Sequence, residues 1–233
     1  MSDILELERP QAVTFDAAGT FLHFAEPVAV TYTRFARQFA VEATELTMRR
    51  RLPMVFQAAP SMVPPAGVAV AGFERDWWRN LVARVYGCAL DDADFNACFD
   101  ALFDWFAHPA AWRIHDDFSP MLLQLLEMDV QLGVISNFDG RLNALLEEML
   151  PGMFSVVALP GNSGFQKPQT GIFTFVAAQM DVTPAHMLHL GDSEEEDVVA
   201  AQAAGMHALR WSFPLDDVTR PKERLLGYWG LTV

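Results

Sequence analysis

A chain of 233 residues has room for one large domain or two small ones, and its 52% hydrophobic and 20% charged residues set it among folded globular proteins, away from disordered chains. Sixteen Lys+Arg against 30 Asp+Glu leave a net charge of -14, and the basic run Arg49, Arg50 and Arg51 is too small to track a nucleic-acid backbone or hold an anionic membrane surface, so neither is an expected partner. Asp3, Glu6 and Glu8 stand where a secretory leader carries positive charge, prolines break the apolar stretch at 63–73, and no membrane-spanning run occurs, so a cytoplasmic location is expected; Cys88 and Cys98 read as reduced, buried thiols.

Short apolar and β-branched runs at residues 12–15, 130–135, 154–158, 187–190 and 207–211 read as strands. A helical stretch precedes each of the last four. That alternation builds a mostly parallel sheet covered by helices on both faces. Between the first two strands lies a long interval with helical periodicity and no strand signal, too long for one crossover. Helices are predicted at 28–39, at 43–57 with a kink or break at Pro53, and at 74–86, 92–106 and 117–128. The first four belong to an inserted helical domain, residues 24–112. Residues 1–23 and 113–233 then make the sheet domain. Pro60, Pro64, Pro65 and Gly67 mark a loop within the insert.

In an open parallel sheet, ligands sit beyond the carboxyl ends of the strands. The residues that follow the apolar runs are Asp16-Ala17-Ala18-Gly19-Thr20, Ser136-Asn137, a loop carrying Lys167, and Gly191-Asp192-Ser193 leading to Asp197. Carboxylates, hydroxyls and one ammonium thus converge on one edge. Carboxylates so crowded stay ionised together only with a cation, and an all-oxygen set without thiolate or imidazole suits Mg2+ bridging Asp16 and Asp192. Lys167 and the hydroxyls of Thr20 and Ser136 offer the charge and donors that phosphoryl oxygens require, and Asp16 offers an oxygen to attack phosphorus.

Phe15-Asp16-Ala17-Ala18-Gly19-Thr20, Val134-Ile135-Ser136-Asn137, Lys167-Pro168 and Leu190-Gly191-Asp192-Ser193 with Asp197 stand in the order of the four motifs of the haloacid dehalogenase superfamily, which the chain resembles over nearly its whole length. The long interval after the first motif is similar to the branch with a helical cap inserted there. Ser136 to Leu142 and the helix after them resemble the rhythmically expressed protein-like branch. The resemblance implies an α/β fold with a Rossmann-like core and an inserted α-helical cap, and a hydrolase using Mg2+ on a small phosphorylated substrate. It implies that Asp16 forms an aspartyl-phosphate that water resolves, with Lys167 as its catalytic partner. Thr20, Ser136, Asn137 and Lys167 are the implied phosphate-binding set, with Asn137 either donating to phosphate or shaping the turn. Asp16, Asp192 and the Ala18 carbonyl are the implied metal ligands. Asp197 either joins or supports those ligands or is a helix residue with no metal role. The chain is expected to be a monomer or homodimer.

Ala18 departs from the family pattern, because phosphatases of the superfamily usually carry an aspartate there as general acid and base. A backbone carbonyl still serves the metal, but the proton donor is lost. That loss costs about a hundred- to ten-thousand-fold unless the leaving group departs as an anion, so acyl and aryl phosphates are expected over alkyl phosphates. Phosphonoacetaldehyde hydrolases share the substitution but need a cap lysine, and the only lysines here are Lys167 and Lys222. Two other readings stand beside the phosphohydrolase. One is a catalytically weak or inactive member that binds a phosphometabolite or a protein, and the other a metal-independent dehalogenase-type hydrolase attacking carbon, against which Gly191-Asp192 speaks.

The remaining conspicuous residues have plainer readings. His23 is either a substitute proton donor or a loop histidine, and His186 and His189 read as structural. Glu194, Glu195 and Glu196 form a solvated first helical turn, where negative charge suits the helix dipole. Arg49 to Arg51 read as an exposed helix face, the alternative being recognition of an anionic end of a substrate. Trp77, Trp78, Trp105 and Trp112 read by default as packing of the insert, the alternative being that one or two of them line the face opposing Asp16 and select an apolar or aromatic leaving group. Neither a nucleotide-binding glycine loop, a nucleophile elbow nor an HExxH helix occurs.

Overall fold

In the computed structural model, which describes residues 9–216, the strands are β1 (Ala12–Phe15), β2 (Leu22–Phe24), β3 (Trp112–Ile114), β4 (Gln131–Ile135), β5 (Val156–Ala158), β6 (Met187–Gly191) and β7 (His207–Arg210). Five of them form a parallel sheet in the order β5-β4-β1-β6-β7. The chain walks outward from β1 through β4 to β5 and then crosses to β6 on the other flank, so β1 is the switch point of the sheet. Phe15 lies opposite Val134 on one side and Leu190 on the other. This register brings Asp16, Ser136 and Asp192 off the sheet along a single edge.

The helices fall into two groups. In the first, α1 (Val28–Gln38), α2 (Glu45–Gln57), α3 (Val70–Tyr86) and α4 (Ala93–Trp105) surround a core of their own that includes Tyr32, Phe35, Met48, Leu52, Tyr86, Phe95 and Phe99. Their ends follow from local chemistry. Thr44 caps α2 by accepting from Thr47 N at 3.2 Å, and Asp92 caps α4 by accepting from Phe95 N at 3.0 Å. Gly87, with φ +79°, ends α3 in the left-handed conformation, and Arg51 donates to the Tyr86 carbonyl there at 2.8 Å.

The second group covers the sheet. Strand side chains alternate in direction, so Val13, Phe15, Val134 and Leu190 pack with α5 (Phe118–Glu127) and α6 (Arg141–Met149). Beyond the short α7 (Pro160–Ser163), the other face, with Ala12, Ile135 and Met187, packs with α8 (Thr170–Met180) and α9 (Ala200–Ala203). The α/β architecture expected from the alternation of runs is the one observed.

Three local expectations are corrected. β2 and β3 lie in the interval that showed no strand signal, and they pair antiparallel, His23 opposite Arg113. Each has three residues and its partner is distant in the chain, so no local pattern announces them. The second helix runs through Pro53 without a break, held to one core by Met48 and Leu52 before the proline and Val55 after it. The third helix starts at Val70, a turn earlier than predicted.

Helix α3 ties the helical unit to the sheet. Glu74 is only 5% exposed, and its Oε2 accepts from Gly140 N at 3.0 Å. Its Oε1 has no hydrogen-bond partner among the described residues. Gly161 leaves room for this contact, since a Cβ there would lie 2.6 Å from Glu74 Oε1 and 2.5 Å from Val70 Cγ1 and would force those side chains to shift. Trp78, one turn further along α3, donates from Nε1 to Asp139 Oδ2 at 2.6 Å.

Burial raises the Glu74 carboxyl above its ordinary value, so between the unfolded and folded pKa the native state holds the extra proton, and stability falls as pH rises through that window. Glu74→Gln is expected to abolish this fall. Thermal denaturation of the two proteins should coincide at about pH 4 and diverge by about pH 8, with the variant the more stable.

Candidate active site

Asp16 leaves β1 directly into a buried ion cluster. Lys167 Nζ donates to Asp16 Oδ1 at 2.6 Å and also to Asp197 Oδ1, and the Thr20 hydroxyl donates to Asp16 Oδ2 at 3.1 Å. Lys167 is 3% exposed and Asp197 fully enclosed. Asp197 reaches the cluster because residues Glu194–Val199 form a π-helical turn, a geometry that recurs at functional sites. Its Oδ2 accepts from Ser193 N at 3.0 Å, and Gly191 leaves the space it occupies, since a Cβ there would lie 2.2 Å from Asp197 Cγ. Both Asp197 oxygens are therefore engaged by the protein.

Lys167 is held from behind by Asn137. The Asn137 Oδ1 accepts from Lys167 N at 2.8 Å and its Nδ2 donates to Lys167 O at 3.0 Å, so one amide grips the lysine backbone on both sides. The same Nδ2 donates to Glu196 Oε2 at 3.3 Å. Asn137 thus shapes the loop that carries the lysine. Ser136 is buried and lines the cavity described below, whereas Thr20 is fully buried and turns its hydroxyl to Asp16.

Asp192 completes the acidic edge. Asp16, Asp192 and Asp197 each bring an oxygen within 4.8 Å of the others. Gly19, at φ +96°, permits the approach, for a Cβ at that position would lie 2.8 Å from Asp192 Oδ2. Burial first, and then the charges of Asp16 and Asp197, raise the Asp192 carboxyl. Burial alone lowers the Lys167 ammonium, but Asp16 and Asp197 outweigh it and push it up to about 12. Asp197 is drawn well below the carboxylate range: burial opposes this, and the hydrogen bond from His189 and the charge of Lys167 prevail. With Asp16, Asp192, Asp197 and Glu196 facing a single ammonium, the cluster has excess negative charge and oxygen donors only. Those residues fit a hard divalent cation.

The sequence did not single out His189 as part of this cluster. His189 Nε2 meets Asp197 Oδ1 at 3.3 Å and its Nδ1 meets Thr14 Oγ1 at 2.9 Å. A carboxylate only accepts, so Nε2 carries the ring proton and Nδ1 accepts from the threonine. Burial lowers the pKa of the ring and keeps it neutral. Read as a strand residue three positions before Asp192, it gave no signal of a partner that folds back eight residues later. His186, three residues earlier, lies in a short turn preceding β6 and is separate from the cluster.

His23 does not serve as the missing proton donor. Its Nε2 donates to the Phe213 carbonyl at 2.7 Å, and burial lowers its pKa, so the neutral ring spends its proton on a main-chain oxygen. Ala18, where the family pattern carries the acid, lines the cavity with a methyl group.

The carboxylates and Lys167 floor a cavity of about 600 Å³ between the sheet edge and the helical unit. Its walls are largely aromatic and include Trp77, Trp78 and Trp112, whereas Trp105 packs elsewhere, under the Arg34 guanidinium. Arg141, at the start of α6, also lines it. Of the basic run, Arg49 pairs with Glu45 on an exposed helix face and Arg51 serves the end of α3.

Fold and cluster together define an α/β protein with an acidic centre at the switch point of a parallel sheet. Residues 10–205 match the haloacid dehalogenase-like hydrolase family, and the chain belongs to it. It is 29% identical over 226 residues to haloacid dehalogenase-like hydrolase domain-containing protein 3 of Mus musculus, covering 92% of this chain and 88% of that protein. It is 25% identical over 223 residues to the rhythmically expressed gene 2 protein of Drosophila melanogaster, covering 87% and 83%. Among solved structures, a putative HAD-hydrolase of Bacillus subtilis bound to magnesium superposes with a TM-score of 0.69 at 16% identity, covering 96% of this chain and all of that one, a likeness of fold.

Removing Lys167 strands two buried carboxylates. Lys167→Met is expected to lower stability by about 3–5 kcal/mol near neutral pH. The deficit should shrink in acid, where Asp197, no longer held ionised by the lysine, takes up a proton in the variant, and urea denaturation across a pH series measures both effects.

Proposed function

We propose that the protein is a Mg2+-dependent phosphohydrolase that acts on a small phosphorylated metabolite through an aspartyl-phosphate at Asp16. The observation that carries this reading is the Asp16 carboxylate, fixed between Lys167 and Thr20 and placed within 4.8 Å of Asp192 at the floor of a cavity. Each Asp16 oxygen retains a lone pair beyond the hydrogen bond it accepts. One of them attacks phosphorus, and the bond from phosphorus to the leaving oxygen breaks with the electron pair departing on that oxygen. Water then attacks phosphorus, its proton passes to solvent, and the bond to Asp16 breaks to restore the carboxylate and release inorganic phosphate.

Lys167 faces the phosphoryl oxygens while holding Asp16 in place, and Ser136 donates beside it. Asn137 and Asp197 act through Lys167, one gripping its backbone and the other its ammonium. His189 in turn keeps Asp197 ionised. Mg2+, held by Asp16, Asp192 and the Ala18 carbonyl, would supply the charge that lets a dianionic group approach several carboxylates. The four helices α1–α4 act as a cap that excludes bulk water. Ser61 Oγ and Met62 N both donate to Gln166 Oε1 at 2.9 Å, which ties the cap's loop to the residue beside Lys167. Among the described residues no helix is long and apolar enough to cross a membrane, and Cys88 and Cys98 are free thiols. On this reading the protein is a cytoplasmic monomer or homodimer.

Hydrolysis of acetyl phosphate and p-nitrophenyl phosphate is expected to require both Mg2+ and Asp16, falling to background with chelator or in Asp16→Asn. Phosphate release by the unmodified protein that persists in chelator would count against the metal. Absence of turnover on either compound would favour a binding role.

With a methyl group at Ala18, ethyl phosphate should turn over about a hundred- to ten-thousand-fold more slowly than the aryl ester. Ala18→Asp is expected to narrow that gap by about tenfold or more, chiefly by raising the alkyl rate. Steady-state kinetics on the two esters gives the comparison.

A further inference from the structure

The walls of the cavity carry information about what stands on the far side of the phosphoryl group. Phe24 and Phe56 both line it, yet they remain 42% and 39% exposed, an unusual exposure for two large rings that face one concave site. Phe56 lies 5.7 Å from the Trp78 ring and Trp77 packs edge-on to Trp78 at 5.0 Å, so the aromatic surface is continuous. Phe24 stacks on Trp112 at 4.7 Å as a second aromatic pair lining the same cavity.

The polar handles of these walls are already used. Trp77 Nε1 donates to Pro60 O at 3.1 Å, Trp78 Nε1 to Asp139 Oδ2 at 2.6 Å and Trp112 Nε1 to Phe106 O at 3.0 Å. Each indole therefore shows the cavity an apolar face. Among the described residues that line the cavity, Lys167 and Arg141 are the cations, and Lys167 belongs to the floor. Arg141 Nε and Nη2 donate to the two oxygens of Asp139 at 2.8 and 2.6 Å, and Nη1 donates to Phe103 O at 2.8 Å. Its guanidinium sits 3.6 Å from the Phe103 ring centroid. Asp139 cancels its charge and three of its five N–H groups donate within the protein, so Arg141 offers a second anion no net positive charge. It instead fixes Phe103 and, through Asp139, Trp78 as rigid walls.

We propose that the substrate of this site is a monophosphate ester whose leaving group is an uncharged aromatic alcohol, an aryl phosphate with no second anionic group. The proposal rests on the phosphohydrolase reading and deepens it. A flat apolar body satisfies the exposed rings, whereas a second phosphate or carboxylate meets a neutralised arginine above a floor of carboxylates. A phenol departs as a stable anion, so the phosphorus–oxygen bond breaks with its electron pair on the aryl oxygen and Ala18 need supply no proton. The walls and the missing acid, two features distant in sequence, thus converge on one chemistry. Phe56, Trp78 and Phe103 determine specificity, and Arg141 and Asp139 are positioning residues.

The test uses phosphonates, which bind without turning over. With Mg2+ present, isothermal titration of the unmodified protein compares methylphosphonate, phenylphosphonate and 4-carboxyphenylphosphonate. Phenylphosphonate is expected to bind at least about tenfold more tightly than methylphosphonate, consistent with burying a ring among aromatic partners. The added carboxylate should erase that gain. Phe56→Ala, at a partly exposed position near the end of α2, should reduce the phenyl-to-methyl affinity ratio by about fivefold, with its melting temperature checked alongside. Equal affinity for the phenyl and methyl compounds, or tighter binding of the carboxylated one, overturns the proposal and leaves the phosphohydrolase reading standing. Binding of none of the three overturns both.

Discussion

Lys167, buried among carboxylates, is the constraint from which the rest of the site follows. Its ammonium joins Asp16, 151 residues earlier, to Asp197, 30 residues later, so three loops from three strands are fixed by one charge. Buried charges persist only when paired and hydrogen-bonded, and the surroundings meet that demand in detail. Thr20 serves the second oxygen of Asp16, Ser193 N and His189 serve Asp197, and Asn137 secures the lysine backbone. Gly19 and Gly191 are glycines because carboxylates occupy the space a side chain would need. The cluster still has more carboxylate than ammonium, and that excess makes it receptive to a cation.

The same economy of charge extends into the helical unit. Glu74 and Trp78 on α3 reach the loop between β4 and α6, where Asp139 and Gly140 receive them. Arg141 completes this contact by pairing with Asp139 and covering Phe103. A short segment that begins at Ser136 therefore both floors the site and anchors the unit that roofs it. Because the arginine is neutralised on the spot, the cavity keeps its uncompensated charge at the Lys167 end and its aromatic character at the other. This polarity matches a molecule with one charged end.

Much of the architecture was legible in the chain. The five parallel strands declare themselves through apolar runs, since a strand buried on both faces needs little information beyond its own side chains. The residues that follow them are conspicuous because carboxylates, serine and lysine at strand ends have few structural reasons to recur. The features that escaped were those whose partners are remote. β2 and β3 are too short to show a period, and Pro53 predicts a break that packing of Leu52 and Val55 on either side of it overrides. His189 looked like any strand residue until the π-helical turn returned Asp197 to it. Thr20 and Asn137 are hydroxyl and amide in sequence, and only their contacts assign them to Asp16 and to the Lys167 backbone.

The sequence by itself determined the α/β class, the family and the set of residues along the strand edge, together with the absence of an acid at Ala18. Each of these depends on local periodicity or on the identity of a residue at a motif position, which the chain carries without folding. The tertiary structure decided which groups are spent and which face the cavity. It placed Asp197 behind Lys167, turned His23 onto the Phe213 carbonyl, neutralised Arg141 with Asp139 and left Phe24 and Phe56 exposed in a common hollow. Those outcomes are pairings between distant segments. A hydrogen bond or an ion pair is a property of two positions in space, so no reading of one position along the chain contains it.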